Sequence, residues 1–268
     1  MQLVADSFPK YSEFKVWFVL EKNNEWSAVN KQTGNKIADW NSKAEYQIEF
    51  ERFLTRPEAA VGKQASKENM VLSYETLLVG ASLIRCWAPG VDPDTYLGAI
   101  MKCIEWLTTT DFYVCPASTR YHGSYASGLL EHSLDVYNVG LSLRNCDKFK
   151  DLVDIASFTV CALAHDWCKI GMYEEYTKNV KNEDTGKWES VAAYRTNMKG
   201  VPLGHGVTSM FLAGRCFKLS TEEALAIRWH MGAWRVVDSE MDELQAANEK
   251  FPLVHLLQFA DQLSIVSY

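Results

Sequence analysis

The sequence predicts a mainly α-helical protein that opens with a small β-hairpin and one helix. Three observations carry that expectation. After Asn69, apolar residues recur at helical spacing almost to the end of the chain. Residues 14–20, F-K-V-W-F-V-L, are instead rich in aromatic and β-branched side chains, the composition of a strand. Pro and Gly pairs and one capping pattern then cut the periodic region into separate helices. With 268 residues, 47% of them hydrophobic and 23% charged, the chain can build one sizeable core, and disorder is excluded.

Taken in order, residues 26–40 have a polar centre with T-G-N at Thr33 to Asn35, the expected turn between two short strands. In residues 42–54, Tyr46, Phe50, Phe53 and Leu54 fall at i, i+4, i+7 and i+8, an amphipathic helix stopped near Arg56-Pro57. Residues 58–68 are polar and read as a linker. This divides the chain into an N-terminal segment, residues 1–67, and a helical domain, residues 68–268.

The domain begins with a helix over 70–88, closed by Pro89-Gly90, and a second starting at Pro93 with Tyr96, Ile100, Ile104 and Leu107 on one face. Residues 113–128 form a loop with Cys115-Pro116, Gly123 and Gly128, leading into a helix that carries Leu130, His132, Leu134 and Val136. A strongly apolar helix over 152–164 ends on adjacent His165 and Asp166. Residues 173–200 are polar, with a D-T-G turn at Asp184 to Gly186, and read as a long excursion containing a short hairpin. Ser220-Thr221-Glu222-Glu223 is a capping box for a helix that runs through Ile227 and stops at Met231-Gly232, with His230 in its last turn. Phe251-Pro252 opens the final helix, in which Asp261 sits among apolar residues.

A net charge of −7 and a pI near 5.4 argue against a broad basic surface for duplex nucleic acid and favour a small anionic substrate. Seven cysteines without a C-x-x-C pair suggest neither a disulfide framework nor a thiolate zinc site. The opening M-Q-L-V-A-D-S-F-P-K lacks the pattern of a signal peptide, and residues 70–87 are interrupted by Glu75 and Arg85. A cytoplasmic protein that does not enter membranes is therefore expected.

Six residues carry the chemistry: His132, His165, Asp166, His205, His230 and Asp261. A carboxylate among Leu and Ala is costly unless a cation compensates it, and imidazoles beside it make a metal the natural candidate. Each member alone has a plain reading as a cap, an ion pair or a hydrogen-bonded core residue. His255, six residues before Asp261, is expected on the far side of its helix.

The order H…HD…H…H…D resembles the HD-domain superfamily of metal-dependent phosphohydrolases, an all-helical fold named for its His-Asp pair. P-A-S-T-R-Y-H-G-S-Y-A-S-G-L-L-E-H-S at 116–133 is similar to the loop and helix before the first metal histidine in a bacterial and phage subgroup. That subgroup is similar to the HD part of 3′-to-5′ exoribonucleases. H-D-W-C-K-I-G at 165–171, L-G-H-G at 203–206 and A-I-R-W-H-M-G-A at 226–233 resemble its further motifs. The resemblance covers about residues 70 to 268 and departs at Ser127, where the subgroup usually has a second Gly before Gly128.

The resemblance implies an HD-type helical bundle in which His132, His165, Asp166 and Asp261 hold one metal. His205 and His230 would complete a second, with Asp166 bridging. An imidazole and carboxylate shell suits one or two divalent transition-metal ions, Mn, Fe, Co, Ni or Zn. Lys169 is the candidate for a non-bridging phosphate oxygen, its alternative being a solvated lysine at a helix end. Arg120 and His122 are candidates for phosphate contact or proton donation to the leaving oxygen. Trp167 and Cys168 read as packing residues. The expected activity is hydrolysis of a phosphomonoester or phosphodiester in a nucleotide or short oligonucleotide. The alternatives are a 3′-to-5′ nuclease on single strands and a non-catalytic nucleotide-sensing module. Oligomerisation is left open.

Overall fold

The computed structural model describes residues 2–3, 16–20, 26–30, 51, 54–55, 65–86, 93–197, 203–234 and 236–266. At the N-terminus, β1 (Gln2–Leu3), β2 (Val16–Leu20) and β3 (Trp26–Asn30) form an antiparallel sheet in that order. Leu20 stands opposite Trp26 and Val16 opposite Asn30. The hairpin is there, but its connection is residues 21–25, which carry Asn23 and Asn24, two residues suited to turns. Thr33 to Asn35, taken from sequence as the turn, follow β3 and lie outside the described residues. So does most of the expected helix at 42–54 and much of the linker. Leu54 is buried, and its carbonyl accepts a hydrogen bond from the Tyr137 hydroxyl.

Eight helices follow among the described residues: α1 (Lys67–Cys86), α2 (Pro93–Thr108), α3 (Gly128–Arg144), α4 (Ile155–Ala164), α5 (His205–Cys216), α6 (Thr221–Trp229), α7 (Met241–Lys250) and α8 (Pro252–Ser264). The chain is thus mainly helical. The central element is α4, buried at every position but Ser157 and packed against α1, α3, α5, α6 and α8. A helix apolar on all sides is stable only when other helices cover it all round. Its start is set by Asp154, whose carboxylate accepts the Ser157 N–H at 2.7 Å.

The polar excursion is a two-stranded hairpin, β4 (Tyr173–Lys181) with β5 (Trp188–Thr196), its strands mostly exposed. Its turn falls at the D-T-G signal. The Asn182 side-chain oxygen accepts the backbone N–H groups of Asp184 and Thr185, each at 3.0 Å. The capping box of α6 is also formed, with Ser220 and Glu223 each bonding the other's backbone N–H. Among the described residues, no helix is long and apolar enough to cross a membrane.

Candidate metal centre

The His-Asp pair sits at the end of α4 because the chain on both sides of it is tied down. Trp167, fully buried, donates its indole N–H to the Tyr74 hydroxyl at 2.9 Å, and Tyr74 donates to the Leu163 carbonyl at 2.7 Å. A short 3₁₀ turn follows over Trp167–Lys169. Ser209 of α5 accepts the Cys168 N–H at 3.0 Å, and Asp111 accepts the Gly171 N–H at 2.8 Å. His165 donates Nδ1–H to Ala162 at 2.8 Å, which fixes its tautomer and leaves the Nε2 lone pair facing inward.

Four further segments converge on the pair. His132 lies in the second turn of α3, after a loop whose last residue, Ser127, has φ of 66°. Ser127 is the one non-glycine residue with positive φ among those described, at the position where the resembling subgroup usually carries Gly. Its hydroxyl donates to the Tyr113 carbonyl at 2.8 Å and holds the loop in that shape. His205 is the first residue of α5. The next residue, Gly206, is pressed so closely on α6 that a Cβ there would lie 1.9 Å from the Arg228 carbonyl oxygen. His230, just past α6, donates Nδ1–H to Ile227 at 2.7 Å. Asp261 lies on α8, its carbonyl accepting the Ser264 hydroxyl at 2.7 Å.

The resulting distances divide the Asp166 carboxylate between two groups. Oδ2 is 3.4 Å from Nε2 of both His132 and His165. Oδ1 is 2.8 Å from His205 Nε2 and 3.5 Å from His230 Nε2. Asp261 Oδ1 joins the first group, 3.1 Å from His132 and 3.8 Å from His165. Ligands bound at about 2.0–2.2 Å stand about 2.8–3.6 Å from one another in tetrahedral or octahedral shells, and the separations within the first group fall in that range except for Asp261 to His165. Buried His/Asp/Cys groups at these separations can hold a metal. The Nε2 atoms of His132 and His165 also face each other at 3.2 Å, an approach that requires a proton or another cation between them.

Charge follows the same lines. Burial alone would lower the His132 imidazole, yet Asp166 and Asp261 hold it above its ordinary value. Burial wins at His165 and lowers it. Burial would raise Asp166, but Lys169, His165 and His132 hold it well below the usual carboxylate range. Asp261 is likewise lowered against its burial, first of all by the hydrogen bond to His132. These are carboxylates kept ionised by cationic surroundings, the state a metal needs.

The remaining candidates part company. Lys169 is buried, its ammonium 2.5 Å from Asp166 Oδ2, so the solvated alternative does not describe it. The His122 ring lies 4.8 Å from that of His132, and its Nε2 is buried with no hydrogen-bond partner. Burial, then the neighbouring His132, lowers its pKa to about 4. Arg120 is exposed, and no hydrogen bond or ion pair joins it to the cluster. Arg228 lies over the Trp229 ring and its guanidinium pairs with Glu240 and Glu243. His255 stacks on Phe259, outside the centre as expected.

The sequence reading missed two residues. Cys168, taken as packing, has its sulfur 3.2 Å from His205 Nδ1. Ser264 bridges the Asp261 carbonyl and His132 Nδ1, the latter at 3.4 Å. Their spacing from Asp166 and Asp261, two and three residues on, was the available signal. Beside His205 opens a cleft of about 400 Å³, lined among others by Gly204, Arg228, Met231 and the exposed Trp234. No protein-family model, curated protein or solved structure matches the chain.

Proposed function

We propose that this chain is a metal-dependent phosphohydrolase of the HD-domain kind, cleaving a phosphomonoester or phosphodiester in a nucleotide or short oligonucleotide. The observation that supports it most is the divided Asp166 carboxylate, with one oxygen toward His132 and His165 and the other toward His205 and His230. On this reading His132, His165, Asp261 and Asp166 would hold one ion, and His205, His230 and Asp166 would hold a second. When bound, such ions supply Lewis-acid charge at phosphoryl oxygens and acidify water.

The chain's own groups do the rest. His165 and His230 are pinned by carbonyls through Nδ1, so their Nε2 lone pairs need no reorganisation. Lys169 brings a fixed positive charge beside Asp166, placed for a non-bridging phosphate oxygen once the carboxylate is shared with the ions. His122, with its pKa near 4, is neutral at pH 7 and serves as a hydrogen-bonding partner for the leaving oxygen rather than as its acid. The cleft beside His205, with Trp234 on its wall, offers room and a stacking surface for a nucleoside part. A sensing module has no need of the buried Lys169, and the pI near 5.4 weighs against a processive nuclease.

The test is a panel of nucleotides, cyclic dinucleotides and short single strands, assayed with Mn and Ni beside metal content. Wild type is expected to carry metal and turn over part of the panel, and Asp166→Ala to lose most of both. Bound metal without turnover on any compound would leave the sensing reading, and selective hydrolysis of single strands the nuclease.

A further inference from the structure

Two cysteines outside the metal centre share a cleft between α2 and α5. Cys103, within α2, is buried, and Cys216, the last residue of α5, is half-buried. Both line a cavity of about 290 Å³, together with apolar Ala99, Trp106 and Leu212 and the exposed cations Lys102 and Arg215. The Cys103 thiol donates a hydrogen bond to the Cys216 sulfur. That bond, against burial and with help from the Arg215 guanidinium, lowers the Cys216 thiol pKa. The same bond, and then burial, raises that of Cys103. A thiol sealed among apolar groups is inert, whereas reactive cysteines are partly exposed and lie beside cations. His205 stands at the other end of α5, about 16 Å away along the helix axis, so the pair is separate from the metal centre.

We propose that Cys103 and Cys216 form a redox-active dithiol, in which a hydroperoxide entering the cleft oxidises Cys216 and Cys103 then closes a disulfide onto it. The Cys216 thiolate attacks the terminal peroxide oxygen, the O–O bond breaks, and the leaving alkoxide or hydroxide takes a proton from solvent. Cys216 is left as a sulfenic acid. The Cys103 sulfur attacks the Cys216 sulfur, the S–O bond breaks, and the hydroxide leaves as water with the Cys103 proton. The two sulfurs lose two electrons in all and the peroxide gains them. The unequal surroundings assign the order, since the half-buried Cys216 meets the oxidant and the buried Cys103 resolves it. The product fastens the last turn of α5 to α2, and an external thiol returns it to the two free cysteines. The competing account is a pair of packing thiols no more reactive than the other cysteines.

Peroxide separates the two accounts. The whole reduced chain is treated with equimolar hydrogen peroxide, quenched by alkylation at intervals, and its peptides are mapped by mass spectrometry. The expected first product is a cross-linked pair of peptides carrying Cys103 and Cys216, lighter by two hydrogens and reversed by dithiothreitol. It should form faster than the exposed Cys146 is oxidised. With dimedone present, Cys103→Ser is expected to collect a sulfenic-acid adduct at Cys216, and Cys216→Ser to form neither the bridge nor an adduct at Cys103. Oxidation of Cys216 no faster than that of Cys146 overturns the proposal, as does a sulfenic acid at Cys216 that persists beside free Cys103 in wild type. A bridge that joins other cysteines first, or an adduct at Cys103 in Cys216→Ser, overturns it as well. Should either variant fail to fold, the wild-type map decides alone, because the cross-linked peptides support the pair and their absence refutes it.

Discussion

Lys169 Nζ lies 2.5 Å from Asp166 Oδ2, with both side chains nearly buried. Burial would lower the ammonium pKa, but Asp166 more than offsets it, and the pKa stands above its ordinary value. Such a pair is sensitive to losing one member. In metal-free protein, Lys169→Ala is expected to lose stability, up to about 3–5 kcal/mol, with saturating metal restoring most of it. In metal-loaded protein the variant should keep its ions and lose turnover by roughly 10²- to 10³-fold. Thermal unfolding with and without metal, and kcat on the same preparation, check both parts. Wild-type turnover would remove Lys169 from the chemistry.

Gly206 sets how closely His205 approaches His230. Because a Cβ there meets the Arg228 carbonyl oxygen at 1.9 Å, and that oxygen is backbone, α5 must move away from α6 in Gly206→Ala. The cost is expected at about 1–3 kcal/mol. The displaced His205 should weaken the second metal position while the first, built on α3, α4 and α8, stays occupied. Metal counts per chain that match wild type, with unchanged affinity at both positions, would show that this contact does not shape the centre.

Ser127 holds a left-handed backbone at the entry to α3, and its hydroxyl reaches the Tyr113 carbonyl at 2.8 Å. Ser127→Ala keeps the conformational cost and loses the buried hydrogen bond, an expected loss of about 1–3 kcal/mol. Ser127→Gly loses the same bond but relieves about 1–2 kcal/mol of backbone cost, and should fall near wild type. The order of the two variants in denaturant unfolding is the check, and Ala at or above Gly would contradict it.

Glu75 tests electrostatics away from the centre. Burial raises its pKa above the ordinary 4.5, against a hydrogen bond from the Tyr113 hydroxyl at 2.9 Å. The folded state therefore favours the protonated acid. Its contribution is present below the unfolded value and lost as pH rises through the folded one. Glu75→Gln keeps the acceptor and removes the ionisation, so it should exceed wild type in stability at pH 7. The difference should shrink to nothing below about pH 4.5. Equal melting temperatures at both pH values would show that Glu75 ionises at no cost.

What could be read from the chain was what depends on near neighbours. The helices around His132, His165, His230 and Asp261 follow from apolar spacing, the capping box at Ser220 and Phe251-Pro252 from local backbone chemistry, and the D-T-G turn from Asp184 to Gly186. The N-terminal hairpin was legible as a pair of strands but not in register. Residues 21–25 and 33–35 both carry turn chemistry, and only the partner of Leu20 distinguishes them.

The centre was legible as a set of residue types and not as a shape. Nothing in periodicity says which faces of α3, α4, α6 and α8 meet, because any apolar stripe can cover any other. Packing makes that choice, and with it come the split of Asp166 between two pairs of histidines, the burial of Lys169 and the meeting of Cys168 with His205. Side-chain types and local spacing name the donors. Their distances depend on contacts between residues far apart in the chain, and those exist only once α4 is enclosed.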